Sequence, residues 1–169
     1  AERREAVAEL LLRVVQGGGA PAGRDGGPAA HEAALHSLAE WLAVPFYREA
    51  RLRHAPPNPL SAVPRVPGVG TSCPVCGAPP AVGRLRRDDG RLLLWCARCD
   101  GEWLHPRMRC PSCGTEDQDA LSVIHLDNDD LRWLLACGRC HGYLKCFDER
   151  RIPGREPVSL LAEAFSRTA

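Results

Sequence analysis

The sequence predicts an α+β chain in which a small helical part leads into two tandem β modules, each organised around four cysteines. Three observations predict it. Eight of the nine cysteines fall into four CxxC pairs: Cys73/Cys76, Cys96/Cys99, Cys110/Cys113 and Cys137/Cys140. The apolar pattern has a helical period up to about residue 54 and becomes a set of short β segments after residue 72. The β half is an internal repeat, because Cys73-Pro74-Val75-Cys76-Gly77 matches Cys110-Pro111-Ser112-Cys113-Gly114. Likewise Leu93-Leu94-Trp95-Cys96-Ala97-Arg98-Cys99-Asp100-Gly101 matches Leu134-Leu135-Ala136-Cys137-Gly138-Arg139-Cys140-His141-Gly142. A duplicated unit is a statement about architecture.

Glu2–Gln16 reads as an amphipathic helix with Val7, Leu10, Leu11 and Val14 on one stripe, stopped by Gly17-Gly18-Gly19. A loop rich in Gly, Ala and Pro follows to Pro28. A second helix is expected from about His31, with Leu35, Leu38 and Leu42 at helical spacing and Trp41 beside them as its core face. Pro45 should kink or restart it before Phe46–Ala50. Ala55–Ser72 carries five prolines and no helical period, which marks a linker. Gly83–Arg87 and Arg91–Cys96 flank Asp88-Asp89-Gly90, a tight-hairpin signal. Ala120–Leu126 and Leu131–Cys137 flank a second polar turn, Asp127–Asp130. Cys146 falls on a strand after the last knuckle, and Pro157–Ser166 reads as a short terminal helix. The expected units are therefore 1–72, helical part and linker; 73–107, first ribbon; 108–150, second ribbon; and 151–169, tail.

CxxC presents two thiolates from one turn to the same ion, and two such turns complete a tetrahedron. Gly77 and Gly114 follow the second cysteine, where the turn requires positive φ. Asp100 and His141 hold that place in the other two knuckles, and both residue types are enriched at positive φ. Nineteen residues separate Cys76 from Cys96 and 23 separate Cys113 from Cys137, either gap enough for one hairpin. The rival pairing would join Cys96/Cys99 to Cys110/Cys113 across ten residues and leave the outer knuckles 60 apart. The expected metal ligands are thus Cys73, Cys76, Cys96 and Cys99 for one ion and Cys110, Cys113, Cys137 and Cys140 for a second. Zn²⁺ and a single Fe both accept four thiolates, and the spacing does not choose between them. An iron–sulfur cluster fits less well, because its cysteines fall in asymmetric runs. Four protein ligands leave no open position for a hydrolytic site.

Composition narrows the function classes. Net charge is +1, from 22 basic and 21 acidic side chains, and Lys145 is the only lysine. That balance lacks the basic excess of a nucleic-acid or anionic-membrane surface. No apolar run is long enough to span a bilayer. Ala1–Glu5 reads as a charged helix start rather than a signal peptide. An odd cysteine number and four adjacent CxxC pairs do not suit a secreted disulfide framework, so reduced thiolates and a cytoplasmic location are expected.

Other residues have plainer roles. Cys146 is expected as a small buried hydrophobe, and His105 is not needed as a ligand. Arg84, Arg86, Arg87 and Arg91 stand among Asp88 and Asp89 and read as a solvated mixed-charge hairpin. Cys137-Gly138-Arg139-Cys140-His141 also spells a c-type haem attachment signal, but the repeat already accounts for its cysteines.

Four stretches together resemble one known family: Cys-Pro-Val-Cys-Gly-Ala-Pro-Pro from Cys73, Leu-Trp-Cys-Ala-Arg-Cys-Asp-Gly-Glu-Trp from Leu94, Arg-Cys-Pro-Ser-Cys-Gly from Arg109, and Cys-Gly-Arg-Cys-His-Gly-Tyr-Leu-Lys from Cys137. They look like the formate dehydrogenase accessory protein family, FdhE, closely over Cys73–Asp148 and more loosely over Leu35–Arg53. Glu102-Trp103 and Gly142-Tyr143-Leu144-Lys145 are the more specific part of the match. The resemblance implies a helical N-terminal part, tandem rubredoxin-like modules holding iron or zinc on the eight paired cysteines, and a bacterial cytoplasmic factor. It further implies a non-enzymatic role in maturation, acting on the formate dehydrogenase catalytic subunit. The helical part ahead of Cys73 is shorter than the family's. A rubredoxin-like electron carrier and a nucleic-acid-binding zinc ribbon are the rival functions. The first would show reversible colour change on iron, and the second would bind with steep salt dependence.

Overall fold

The computed structural model describes Leu12 and residues 28–54, 71–126 and 129–154. Apart from Leu12, the helix expected over Glu2–Gln16 lies outside the described residues. So do the helix expected over Pro157–Ser166 and nearly all of the proline-rich linker.

Helix α1 spans Pro28–His54. It opens on a proline, whose missing N–H costs nothing at the first helical position. Arg51, Arg53 and His54 in the last turn face the negative end of the helix dipole. The helix runs on through Pro45 without restarting there. That ring costs one backbone hydrogen bond, which a helix held by tertiary contacts absorbs.

The larger correction concerns which face is inward. Leu38, Trp41 and Leu42, expected as core, are 61%, 76% and 65% exposed, and Leu35, Phe46 and Leu52 are exposed with them. The buried face is His36, Ala39, Ala43 and Tyr47. The helix carries two stripes at helical spacing, one of bulky apolar residues and one in which Ala39 and Ala43 lie between His36 and Tyr47. It packs on a cysteine-bearing turn, where the two alanines allow close approach and Tyr47 lies against Arg98, and the bulky stripe is left outside.

Six strands form one sheet: β1 (Val82–Leu85), β2 (Leu92–Trp95), β3 (Glu102–Leu104), β4 (Leu121–Leu126), β5 (Asp129–Cys137) and β6 (Tyr143–Asp148). Their order is β3-β2-β1-β6-β5-β4. Each repeat is an antiparallel three-stranded meander, and equivalent residues take equivalent registers: Trp95 faces Glu102 in the first, and Ala136 faces Tyr143 in the second. The meanders join through a parallel pairing of β1 with β6, in which Gly83, Arg84 and Leu85 face Cys146, Phe147 and Asp148. β6 has six residues where β3 has three, and its additional residues are those that make the joint.

Cys146 is buried at that joint. Burial pushes its thiol up to about 12. A Cβ at position 83 would stand 2.7 Å from the Cys146 sulfur, so glycine is what lets the two strands close over it.

The hairpin between β1 and β2 is wider than the Asp-Gly signal suggests. The Arg86 N–H donates to the Arg91 carbonyl at 2.9 Å, and four residues cross over, with Gly90 at φ +63°. Its arginines are not uniformly solvated either. Arg84 is buried, donating to both oxygens of Glu102 at 2.6 and 3.0 Å and to Glu149. Arg87 donates to the carbonyls of Ile152 and Gly154 at 2.6 and 2.8 Å, while Arg86 and Arg91 pair with Asp89. The partners come from β3 and from the chain after β6, which hairpin composition alone could not reveal.

One core cluster gathers Ala39, Ala43 and Tyr47 of α1 with Leu92, Leu94, Trp103, Leu135, Leu144 and Cys146 of the sheet and with Cys73, Cys96 and Cys99. A second holds Val82, Trp95, Phe147 and Ile152. The first cysteine set is therefore part of the core.

Candidate metal centres

All four CxxC turns share one backbone design. The N–H of the fourth residue after the first cysteine donates back to that cysteine's carbonyl: Gly77 to Cys73, Asp100 to Cys96, Gly114 to Cys110 and His141 to Cys137, at 2.9, 2.9, 3.0 and 2.9 Å. The first cysteine's own N–H reaches the next carbonyl beyond, on Ala78, Gly101, Thr115 or Gly142. Closing this loop puts the fourth residue at positive φ, and the values for Gly77, Asp100, Gly114 and His141 are +71°, +56°, +73° and +58°. Amides then turn toward the first sulfur, as where Ser112 and Cys113 donate to the Cys110 sulfur at 3.4 and 3.5 Å.

The structure brings Cys73, Cys76, Cys96 and Cys99 together in one set and Cys110, Cys113, Cys137 and Cys140 in another. Within each set the four sulfurs lie within 4.8 Å of one another. Across the first set Cys73 faces Cys99 at 3.4 Å and Cys76 faces Cys96 at 3.5 Å. Across the second, Cys110 faces Cys140 at 3.7 Å and Cys113 faces Cys137 at 3.8 Å. A disulfide needs about 2.05 Å, and all nine cysteines are free. Tetrahedral coordination with metal–sulfur bonds of about 2.3 Å spaces its ligands about 3.8 Å apart. The donor sets therefore fit an ion of Zn²⁺ or Fe size, and either set could hold one.

Electrostatics point the same way. Hydrogen bonds from Cys76, Cys96 and Cys99 hold the Cys73 thiol far below its ordinary value, while those same contacts drive Cys99 and Cys96 far above theirs. In the second set burial pushes Cys110 up to about 12, whereas amide donors from Cys140 and Arg139 bring Cys137 down to about 7. One thiolate suppresses the ionisation of its neighbours, and only a cation among them lets all four carry charge.

The two sets differ in cover. Cys73, Cys96 and Cys99 are buried and Cys76 is half-buried, whereas Cys113 and Cys140 are exposed beside buried Cys110 and Cys137. Helix α1 supplies the cover over the first set. Glu40 accepts from Arg98 at 2.6 Å, Arg48 pairs with Asp100 at 2.7 Å, and the Arg98 guanidinium lies 5.1 Å over the Tyr47 ring. All three contacts seize the Cys96/Cys99 knuckle.

His105 is buried with its Nε2 3.0 Å from the Arg109 carbonyl, and it belongs to neither sulfur set. One feature escaped sequence reasoning. The covering contacts of α1 have no sequence signature. Gly101 and Gly142, which match across the repeat, are each pressed against a sulfur. A Cβ there would meet the Cys99 sulfur at 3.1 Å in one case, and Ser112 Oγ at 3.1 Å and the Cys140 sulfur at 3.3 Å in the other. No helix among the described residues is long and apolar enough to cross a membrane.

No family model matches the chain. Curated proteins do. The protein FdhE homolog of Aquifex aeolicus (strain VF5) is 32% identical over 94 residues, covering 52% of this chain and 33% of its own length. That of Haemophilus ducreyi (strain 35000HP) is 30% identical over 122 residues, covering 70% of this chain and 38% of its own. That of Pseudomonas aeruginosa (strain PAO1) is 36% identical over 86 residues, covering 46% and 27%. The chain thus spans about a third of the length of these relatives. The crystal structure of the FdhE protein from Pseudomonas aeruginosa superposes with a TM-score of 0.56 over 98% of this chain and 65% of that one. At 22% identity this establishes a shared fold.

Proposed function

Because this chain is an FdhE relative, we propose that it is a non-enzymatic accessory factor for formate dehydrogenase, acting in the cytoplasm on the catalytic subunit during its maturation. In this reading Cys73, Cys76, Cys96 and Cys99 hold one ion of zinc or iron, and Cys110, Cys113, Cys137 and Cys140 hold the other. The chemistry the ions supply is cross-linking: each ties two turns of a ribbon too small to stand on its own apolar core. Four thiolates fill a tetrahedron and leave no position for a substrate, so we assign the chain no reaction of its own.

The observation that carries the client-binding part is the outward face of α1. Leu38, Trp41, Leu42 and Phe46 form an exposed apolar stripe on a helix whose other face is already packed. Beside it lies a cleft of about 710 Å³ whose lining includes Trp41, Pro45, Arg48, Pro79, Pro80 and Trp95. Exposed apolar surface of this kind marks interaction sites on soluble proteins. The near-neutral charge gives it little to offer a nucleic acid.

The test is co-purification of the tagged protein with the formate dehydrogenase subunits of its source organism. Retention of the catalytic subunit is expected, and Trp41→Asp with Phe46→Asp should abolish it while metal content and fold persist. No association, together with undiminished formate dehydrogenase activity after gene deletion, would overturn the proposal.

A further inference from the structure

Two Cys₄ sets with the same knuckle backbone differ in what a soluble reagent can reach. We infer that the second set is an oxidation site for hydroperoxides, which convert it to two disulfides and discharge its ion, while the first set stays reduced. This rests on the assignment of one metal ion to each set.

The arrangement of exposure carries it. In the second set an exposed cysteine stands opposite a buried one in each close pair, sulfur to sulfur: Cys140 faces Cys110 at 3.7 Å, and Cys113 faces Cys137 at 3.8 Å. The exposed member of each pair meets the oxidant, and the buried member is held beside it to resolve the product. Attack of a thiolate on hydrogen peroxide gives a sulfenic acid and hydroxide. The facing thiolate then displaces a second hydroxide from that sulfur and forms the disulfide. For each disulfide, two thiolates and one peroxide, taking up two protons, yield the disulfide and two waters. Two peroxides consume the whole set, and a zinc ion leaves with its charge unchanged. Each sulfur pair needs to close by less than 2 Å to reach a bond of about 2.05 Å. The new links would join the same two knuckles that the ion joined.

In the first set the equivalent pairs, Cys73/Cys99 and Cys76/Cys96, are as close, at 3.4 and 3.5 Å. Proximity therefore does not discriminate between the sets. Access does, because α1 covers the Cys96/Cys99 knuckle through Glu40, Tyr47 and Arg48. No described element does the same for Cys113 and Cys140, which stay exposed. Thiolate oxidation follows exposure as well as charge state.

The experiment uses the whole chain loaded with zinc and its metal content measured first. Two equivalents of hydrogen peroxide are added with a chromogenic zinc chelator present, and the disulfides are mapped by mass spectrometry after alkylation. One zinc per chain should leave at least about tenfold faster than the other, with Cys110–Cys140 and Cys113–Cys137 linked and the first four cysteines alkylated. In Tyr47→Ala, which alters no ligand, release from the first set should rise toward that of the second. Release of both ions at one rate from the unaltered chain, or linkage of Cys73 to Cys99 first, would overturn the inference and leave the metal assignment standing. Fewer than two zinc ions before peroxide is added would instead overturn the assignment on which it rests.

Discussion

The first meander and the second carry the same four-cysteine device in different surroundings. Around Cys73, Cys76, Cys96 and Cys99 the device is a piece of the core, roofed by the alanine face of α1 and locked by Arg98 and Asp100. Around Cys110, Cys113, Cys137 and Cys140 the same turns, with matching hydrogen bonds and φ values, leave two cysteines exposed. The contrast separates two properties often run together. Ligand geometry is local and is written in each CxxC turn, whereas protection of the ligands is tertiary and depends on what lies on top.

The largest expected effect comes from removing metal altogether. Structural ions of this type contribute about 10–16 kcal/mol of apparent binding energy each, as much as a domain's whole net stability. A strong chelator should collapse the sheet, seen as loss of amide protection in β1–β6, with the ion at the open set leaving first. Persistent amide protection after both ions have left would show that the sheet does not depend on them.

Single ligand losses sharpen the comparison. Cys99→Ser and Cys140→Ser should each bind one ion fewer. Cys99→Ser should also loosen α1, because its set is joined to that helix through the core, and should lower Tm more. Equal Tm changes would mean that the helix does not report on the set beneath it. Cys146→Ser should keep both ions, since that thiol lies at the strand joint and outside either set.

Tyr47→Ala removes a buried ring and the platform under Arg98, and should cost about 3 kcal/mol by the usual range for large core truncations. Trp41→Ala, on the exposed face of the same helix, should change stability by about 0.5 kcal/mol or less. Denaturant melts of the two variants check this, and a reversal would put the wrong face of α1 inward.

The smallest effect opposes two knuckles. His141 stands at positive φ with no ion pair among the described residues, so His141→Gly should gain up to about 1 kcal/mol by relieving the backbone. Asp100 has the same φ but pairs with Arg48, so Asp100→Gly loses a helix tether and should gain less or nothing.

Much of this was legible because it is local. The CxxC spacing, the residue types at positive φ and the repeat all lie within short stretches, and so do the strands they bracket. The parallel joint of β1 with β6 was not legible, since Gly83 and Cys146 are far apart in sequence and each looks ordinary alone. The orientation of α1 was not legible for a different reason. Its sequence holds a bulky aliphatic and aromatic stripe and a mixed stripe of His36, Ala39, Ala43 and Tyr47, and burying the more apolar one is the natural expectation. The knuckle beneath needed close approach, and the alanines supplied it. Arg84 shows the same limit, because its carboxylate partners, Glu102 and Glu149, lie on other elements.

The most direct test of the account is metal content per chain in protein purified without oxygen, measured alongside its visible spectrum. Two ions per chain are expected, falling to one in both Cys99→Ser and Cys140→Ser, with the spectrum separating colourless zinc from coloured iron. A folded chain that carries no metal, or one ion that only the joint loss of both sets removes, would contradict it.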